Sequence, residues 1–445
     1  MNAVLAILAL CTLILGGLST LKLIPKIPWS SAWPTRLALA HLIGSALMAW
    51  TVTIAGLVWG RLTILPVYVV FGILAVLALA IRSNPNQQPM GPDGHGRRIW
   101  IGFLILAVAL GIVSTGWGLI ADPNMSIDAY VIWALKAKAF YLAGSFEPLL
   151  KGCCAKPNYP VLFPLQSWWV YKHIGEVDDW WHQAMGFLFY LDGVAIAFAG
   201  CRAFMPAAWA WMGAAIVANN LLNVFLATRG SADNALSAYF LASSLFLIGY
   251  ISRREESSRI PALLLLLGAV QTKNEGLAWT FLEAVLLVVF EVRWGYYKRA
   301  ASTFAWFLLA IAPWQIFKLS HSMVYGPEEP MATLQTLKLE WAFRLKTILL
   351  AHFADFGPIS LSFLLFLCVP LMWRRWEGMS KPVLALIGAQ FAAYLAIYFV
   401  VQNPAYQLYG FVPRALGHLS PALIGTCLIG YHWRAAGPKP LPLRT

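Results

Sequence analysis

Residues 97–121 read RRIWIGFLILAVALGIVSTGWGLIA. Two arginines, Arg97 and Arg98, precede an uncharged run that ends at Asp122. At 1.5 Å rise per residue, such a run covers the roughly 30 Å hydrocarbon core of a bilayer. Lipid offers no partner to a backbone amide or carbonyl, so the run must be a helix that satisfies its own hydrogen bonds.

Working outward, similar runs recur along the whole chain. Spans are expected near 2–20, 37–60, 62–81, 99–120, 184–204, 207–227, 235–251, 260–274, 277–292, 300–317, 358–373, 382–401 and 419–433, about thirteen in all. The chain of 445 residues is 60% hydrophobic and 11% charged. A soluble domain carries about a quarter charged residues, so lipid is the solvent for most of this chain. The fold class is therefore an all-α polytopic membrane protein. The first run lacks a basic leader and a cleavage site, so it reads as a retained helix rather than a signal peptide. The six cysteines show no metal-type spacing; Cys153 and Cys154 are adjacent in a loop.

The net charge of +13 is a topological signal. With the N-terminus outside, the segments left inside hold 19 basic and 5 acidic residues, a net +14, and the rest of the chain comes to −1. Cytoplasmic loops collect Lys and Arg, so this orientation is expected, and no nucleic-acid partner is needed to explain the charge. Two long outer loops follow, 121–183 and 318–357, both with amphipathic stretches; the first should carry helices lying on the membrane surface. The chain divides into N-terminal helices (1–98), a transmembrane region with the two long outer loops (99–433) and a cytoplasmic tail (434–445).

Four polar clusters fall on the outer side. The first is Asp128, followed by Trp133-Ala-Leu-Lys136-Ala-Lys138. The two lysines are two positions apart and point to opposite faces of a helix. Taken alone, Asp128 would be an N-cap. Further along the same loop, Tyr159-Pro160-Val-Leu-Phe-Pro164 should bend the chain, with its aromatic residues in the lipid–water belt. The second cluster is Thr228-Arg229-Gly230-Ser231-Ala232-Asp233-Asn234, a turn whose acid could simply cap a helix. The third, Gln271-Thr272-Lys273-Asn274-Glu275-Gly276, interrupts apolar sequence at the tip of a short hairpin. Ionisable residues at membrane depth are costly and imply function. The fourth holds Arg414 and His418, four apart and so on one helix face; Arg suits bidentate phosphate binding, with snorkelling to headgroups as the plain alternative. Asp192 and Glu283 lie inside expected helices and should face protein or water.

Two carboxylates, a Lys, an Arg and a His at one membrane face suit a reaction on an anionic group held at the lipid surface. A carboxylate can deprotonate an incoming hydroxyl, and Arg and Lys can neutralise a departing phosphate. In this set of motifs the chain resembles bacterial GT-C glycosyltransferases, which are related to protein O-mannosyltransferases and to the aminoarabinose transferase of lipid A. The resemblance runs from about Ile105 to Pro421 and leaves out the first three helices.

The resemblance implies a GT-C type fold in the bacterial inner membrane, with an active site facing the periplasm. It implies a polyprenyl-phosphate-linked sugar donor, a lipid, glycan or protein acceptor, and inversion at the anomeric carbon. It makes Asp128 the catalytic base and Asp233 a second catalytic acid residue. Lys273, Arg414 and His418 become ligands of the donor phosphate, and Lys136, Lys138, Tyr159 and Glu275 substrate-binding residues. No cofactor follows. Asp128, Asp233, Glu275 and His418 carry donors suited to a divalent cation, but their spacing does not demand one, and no metal is predicted. Many relatives carry a larger soluble C-terminal domain, and none is visible here. The competing classes are a transporter or flippase of lipid-linked glycans, whose polar residues should line a path through the bilayer, and an O-antigen-ligase-type transferase, whose outer loops should be more basic.

Overall fold

The computed structural model describes residues 2–24, 27, 33–81, 98–323, 340, 342–343, 381–400 and 418–430. Every regular element among them is helical. In chain order these are α1 (Asn2–Leu23), α2 (Trp33–Trp59), α3 (Leu65–Ala80), α4 (Arg98–Ala121), a π-helical turn (Ala129–Ala134), α5 (Leu135–Ala143), α6 (Glu147–Leu150), α7 (Leu162–Ile174), α8 (Asp179–Arg202), α9 (Ala207–Ala218), α10 (Leu221–Thr228), α11 (Asp233–Arg253), α12 (Glu256–Thr272), α13 (Asn274–Arg293), α14 (Tyr297–Ser320), α15 (Lys381–Val400) and α16 (His418–Gly430). The expected helix 358–373, the tail 434–445 and Arg414 lie outside the described residues, as does most of the loop 318–357.

Six of these helices are long and apolar enough to cross a membrane: α1, α2, α4, α8, α11 and α14. A seventh span results if α9 and α10, bent by 53° at their junction, are counted together. The protein is thus an all-α polytopic membrane protein. The outer surface of α4 shows why lipid must surround it. Trp100, Phe103, Leu110, Val113 and Trp117 are each 59–68% exposed, an apolar face that water would not tolerate on a soluble monomer. The opposite extreme is α11, 94% buried across its apolar window, around which α8, α12, α13 and α15 pack. Small residues let the helices approach closely. A Cβ at Gly17 would meet the Ala40 carbonyl, and one at Gly44 the Leu13 carbonyl, at about 2 Å, which locks α1 against α2.

Three expected elements differ from what the sequence suggested. The run 207–227 is broken, because Asn220 caps α10 with its side-chain oxygen on the amides of Leu222 and Asn223. The segment after Pro160 is a helix, not just a bend. Pro164 sits in the first turn of α7, where its missing N–H would have had no intrahelical partner anyway. Nor do the aromatic residues of α7 form an interfacial belt: Trp168, Trp169 and Tyr171 are fully buried, and the Trp169 indole donates to the Ala9 carbonyl at 2.9 Å.

Candidate functional site

The contacts sort the helix ends into two faces. At one end Asn2 donates to Glu176, Leu62 N donates to Gly144 O, and Trp314 donates to Asn158 O. At the other, Arg259 and Arg299 bind Glu256, and Arg259 also binds Glu291. The polar clusters gather at the first of these ends.

At its centre is Asp233, the first residue of α11, 1% exposed. It caps nothing through its side chain. Its Oδ1 accepts from Lys273 Nζ at 2.8 Å and from His418 Nε2 at 2.6 Å, and its other oxygen accepts from Ser231 Oγ. A carboxylate can only accept, so His418 carries its proton on Nε2. Residues of the second and third clusters, and His418 of the fourth, therefore meet at one carboxylate.

The backbone explains how Lys273 gets there. Alone between α12 and α13, it is extended at φ −150° and ψ 164°. The two helices form an antiparallel hairpin: Gly276 sits against the Ala269 carbonyl, where a Cβ would come within 1.9 Å, and Thr280 donates to Leu266 O. Only glycine permits that approach. The hairpin pushes Lys273 out at its tip toward α11. Glu275 follows at 3.4 Å from Lys273 Nζ, close enough for attraction but not aligned as a hydrogen bond. Both of its carboxylate oxygens are buried and accept no hydrogen bond. Gln390 on α15 donates to its main-chain carbonyl at 3.2 Å.

Asp128 joins this site through the chain that precedes it. Arg229 binds Asp122 at 2.9 Å and the Asn124 carbonyl at 2.9 Å, and its own carbonyl accepts from Ser126 N. The turn that carries Asp233 is thereby fastened to the segment that carries Asp128. Asn124 first, and then Arg229, hold the Asp122 carboxyl below its usual range. Asp128 is not the cap expected of it. Ser126 Oγ accepts from Ala129 N at 3.2 Å and takes that role, and the Asp128 side chain makes no capping bond. The partly exposed carboxylate sits at the mouth of a π-helical turn, a feature that recurs at functional sites.

Lys136 and Lys138 do point to opposite faces. Lys136 turns inward and donates to the Lys156 and Tyr159 carbonyls, while Lys138 pairs with Asp179 at 2.7 Å. Neither contact reaches Asp128, Asp233 or Lys273. Tyr159 packs beside Trp133, with ring centres 5.7 Å apart. No group of three or more His, Cys, Asp or Glu residues that could hold a metal ion occurs among the described residues. Asp233 at 2.8 Å and Glu275 at 3.4 Å flank the Lys273 ammonium, which takes the position of a cation between them.

Three roles in this assembly escaped sequence reasoning. His182, fully buried, bridges Ser167 Oγ at 2.8 Å and the Gly230 carbonyl at 3.0 Å. Asn220 donates to Ser420 Oγ at 2.8 Å, tying α10 to α16. Ser231 binds Asp233. Only Ser231, two residues before the acid, left a signal in the sequence. Asp192, which had no assigned partner, accepts from His41 Nδ1 at 2.6 Å, and His41 Nε2 accepts from Gln166 at 2.7 Å. Glu283 accepts from Ser243 and Trp279, each at 2.8 Å. Compared with family models, curated proteins and solved structures, the chain finds no match.

Proposed function

We propose that this protein is a GT-C type membrane glycosyltransferase that moves a sugar from a polyprenyl-phosphate donor to an acceptor hydroxyl on the periplasmic face of a bacterial inner membrane. The observation that carries the reading is the meeting of Asp233 with Lys273 and His418, while Arg229 fastens the Asp128 segment alongside. In this reading Asp128 takes the proton of the acceptor hydroxyl as its oxygen attacks the anomeric carbon. The bond from that carbon to the phosphate oxygen breaks, and the lipid phosphate leaves with the electron pair. Lys273, with Arg414 and His418, receives the phosphate. Asp233 positions Lys273 and His418, and Glu275, whose oxygens lack donors, accepts from a sugar hydroxyl.

The full chain in lipid nanodiscs, given a labelled polyprenyl-phosphate hexose and membrane acceptors, should transfer label, and Asp128→Asn should abolish the transfer. A wild-type chain that moves the intact lipid-linked sugar across the bilayer without transferring it would overturn the reading. That second outcome, a flippase, draws support from the His41–Asp192 pair and Glu283, which lie within the spanning bundle.

A further inference from the structure

Cys153 and Cys154 take no part in the chemistry above. Their sulfurs lie 2.7 Å apart, so one thiol donates to the other, and both residues are half-buried, within reach of a small reagent. Beside them stands Lys136, fully buried. Its ammonium donates to the carbonyls of Lys156 at 2.7 Å and Tyr159 at 3.4 Å and lies over the rings of Trp133 and Tyr159. None of those groups is an anion. Burial lowers its pKa to about 8, and Cys154 and Cys153 are the titratable groups that offset part of that shift. An enclosed cation beside a partly exposed thiol is the environment that makes a cysteine reactive. The same contact divides the pair. The hydrogen bond from Cys154 lowers the Cys153 thiol below its ordinary range, and Cys154 is raised.

We propose that Cys153 and Cys154 form a reactive dithiol that exchanges with disulfides and closes reversibly into a vicinal disulfide, with Lys136 as the activating cation. The Cys153 thiolate attacks one sulfur of an incoming disulfide, whose S–S bond breaks as the first thiolate leaves with the electron pair. Cys154 gives up its proton, attacks the Cys153 sulfur and displaces the second thiolate. Two protein thiols are oxidised to one disulfide, and the incoming disulfide is reduced to two thiols. Adjacent Cα atoms are 3.8 Å apart, below the range that relaxed disulfides adopt, so the closed ring is readily reopened. Closure removes both titratable thiols beside Lys136. Ala155 N donates to Val131 O at 3.1 Å, which links this loop to the π-helical turn after Asp128.

Oxidised glutathione is the probe, with the full chain in detergent micelles and peptide mass mapping as the readout. The peptide holding both cysteines should lose two hydrogens and regain them with a thiol reductant. Cys154→Ser should stop at a glutathione adduct on Cys153. Lys136→Met should slow the exchange at neutral pH severalfold, because the smaller thiolate fraction outweighs the higher intrinsic nucleophilicity of the thiolate, and Lys136→Arg should restore it. Thiols that stay open to alkylation after glutathione treatment would overturn the proposal. So would an unchanged rate in Lys136→Met. The Cys154→Ser adduct keeps the test valid if Lys136→Met fails to fold, and none of these readouts depends on sugar transfer.

Discussion

Lys273 Nζ lies 2.8 Å from Asp233 Oδ1, and the two residues are 40 positions apart in the chain. Both are nearly excluded from solvent, at 4% and 1% side-chain exposure. Removing one partner strands a charge in low dielectric, at a cost of about 3–5 kcal/mol. Asp233→Ala and Lys273→Met should each lower the thermal midpoint in detergent by that scale of destabilisation. The double variant should lose less than the sum of the two, since the stranded charge is gone. Additive losses in the double-mutant cycle would show that the pair is not coupled.

Asp128 and Ser126 separate chemistry from folding within three residues. Ser126 caps the π-helical turn, so Ser126→Ala should cost about 1 kcal/mol of stability and leave most of the transfer activity. Asp128→Asn preserves size and makes no change to the cap, so the variant should still fold and should lose transfer. Parallel melting curves and label-transfer assays on the two variants decide the assignment. A reversed pattern, with Ser126→Ala the inactive one, would move the base elsewhere.

The bundle was legible in the sequence because its two causes are additive along the chain. Uninterrupted apolar runs mark spans, and alternating loop charge marks sides, so α1, α2, α4 and α11 fall within a few residues of expectation. The break at Asn219–Asn220 was hidden because averaging over a window of apolar residues dilutes two amides, although Asn219 ends one helix and Asn220 caps the next. The helix after Pro160 was hidden because a proline in a first turn looks, in sequence, like a proline that stops one. The candidate site was legible as residues but not as a geometry. Nothing local in Lys273 or His418 says that both converge on Asp233, since that depends on how a hairpin and a distant helix pack against α11. His182 was illegible for the same reason: its partners, Ser167 and Gly230, lie on opposite sides of it in sequence.

Gly276 tests whether the hairpin positions Lys273. Its Cα faces the Ala269 carbonyl, with 1.9 Å left for a Cβ. Gly276→Val should push α13 off α12, cost at least the about 1–3 kcal/mol typical of overpacking, and draw Lys273 away from Asp233. Transfer activity should fall further than the loss of folded protein explains. Activity per folded molecule, from fluorescence-detected chromatography and label transfer on the same sample, is the measurement. An unchanged ratio would separate the hairpin from the site.

Asp192 distinguishes enzyme from transporter. It accepts from His41 within the bundle, and Gln166 completes the network at 2.7 Å. Asp192→Asn keeps an acceptor for the imidazole and should retain both fold and transfer. Asp192→Leu orphans a buried N–H, at about 1–3 kcal/mol, and should lower stability while leaving activity per folded molecule near wild type. If Asp192→Asn folds normally but abolishes sugar turnover, the pair lies on a path through the bilayer, and the transporter reading gains over the transferase.

Lys136 makes a prediction about pH. Burial lowers its pKa from 10.5 to about 8 in the folded chain, against the opposing pull of Cys154 and Cys153. Between those two values the unfolded chain holds a proton that the folded chain has released. Stability rises with pH wherever the unfolded state binds more protons. Wild type should therefore gain unfolding free energy relative to Lys136→Met as pH climbs from about 8 toward 10.5, by a few kcal/mol at most at 1.36 kcal/mol per pKa unit. Below about pH 8 both states are protonated, and the difference between the two proteins should be flat. Denaturation of both proteins across this range, plotted as a difference, isolates Lys136 from the tyrosines and arginines common to both. A flat difference throughout would place the ammonium in water, and a falling one would mean that the folded state raises its pKa.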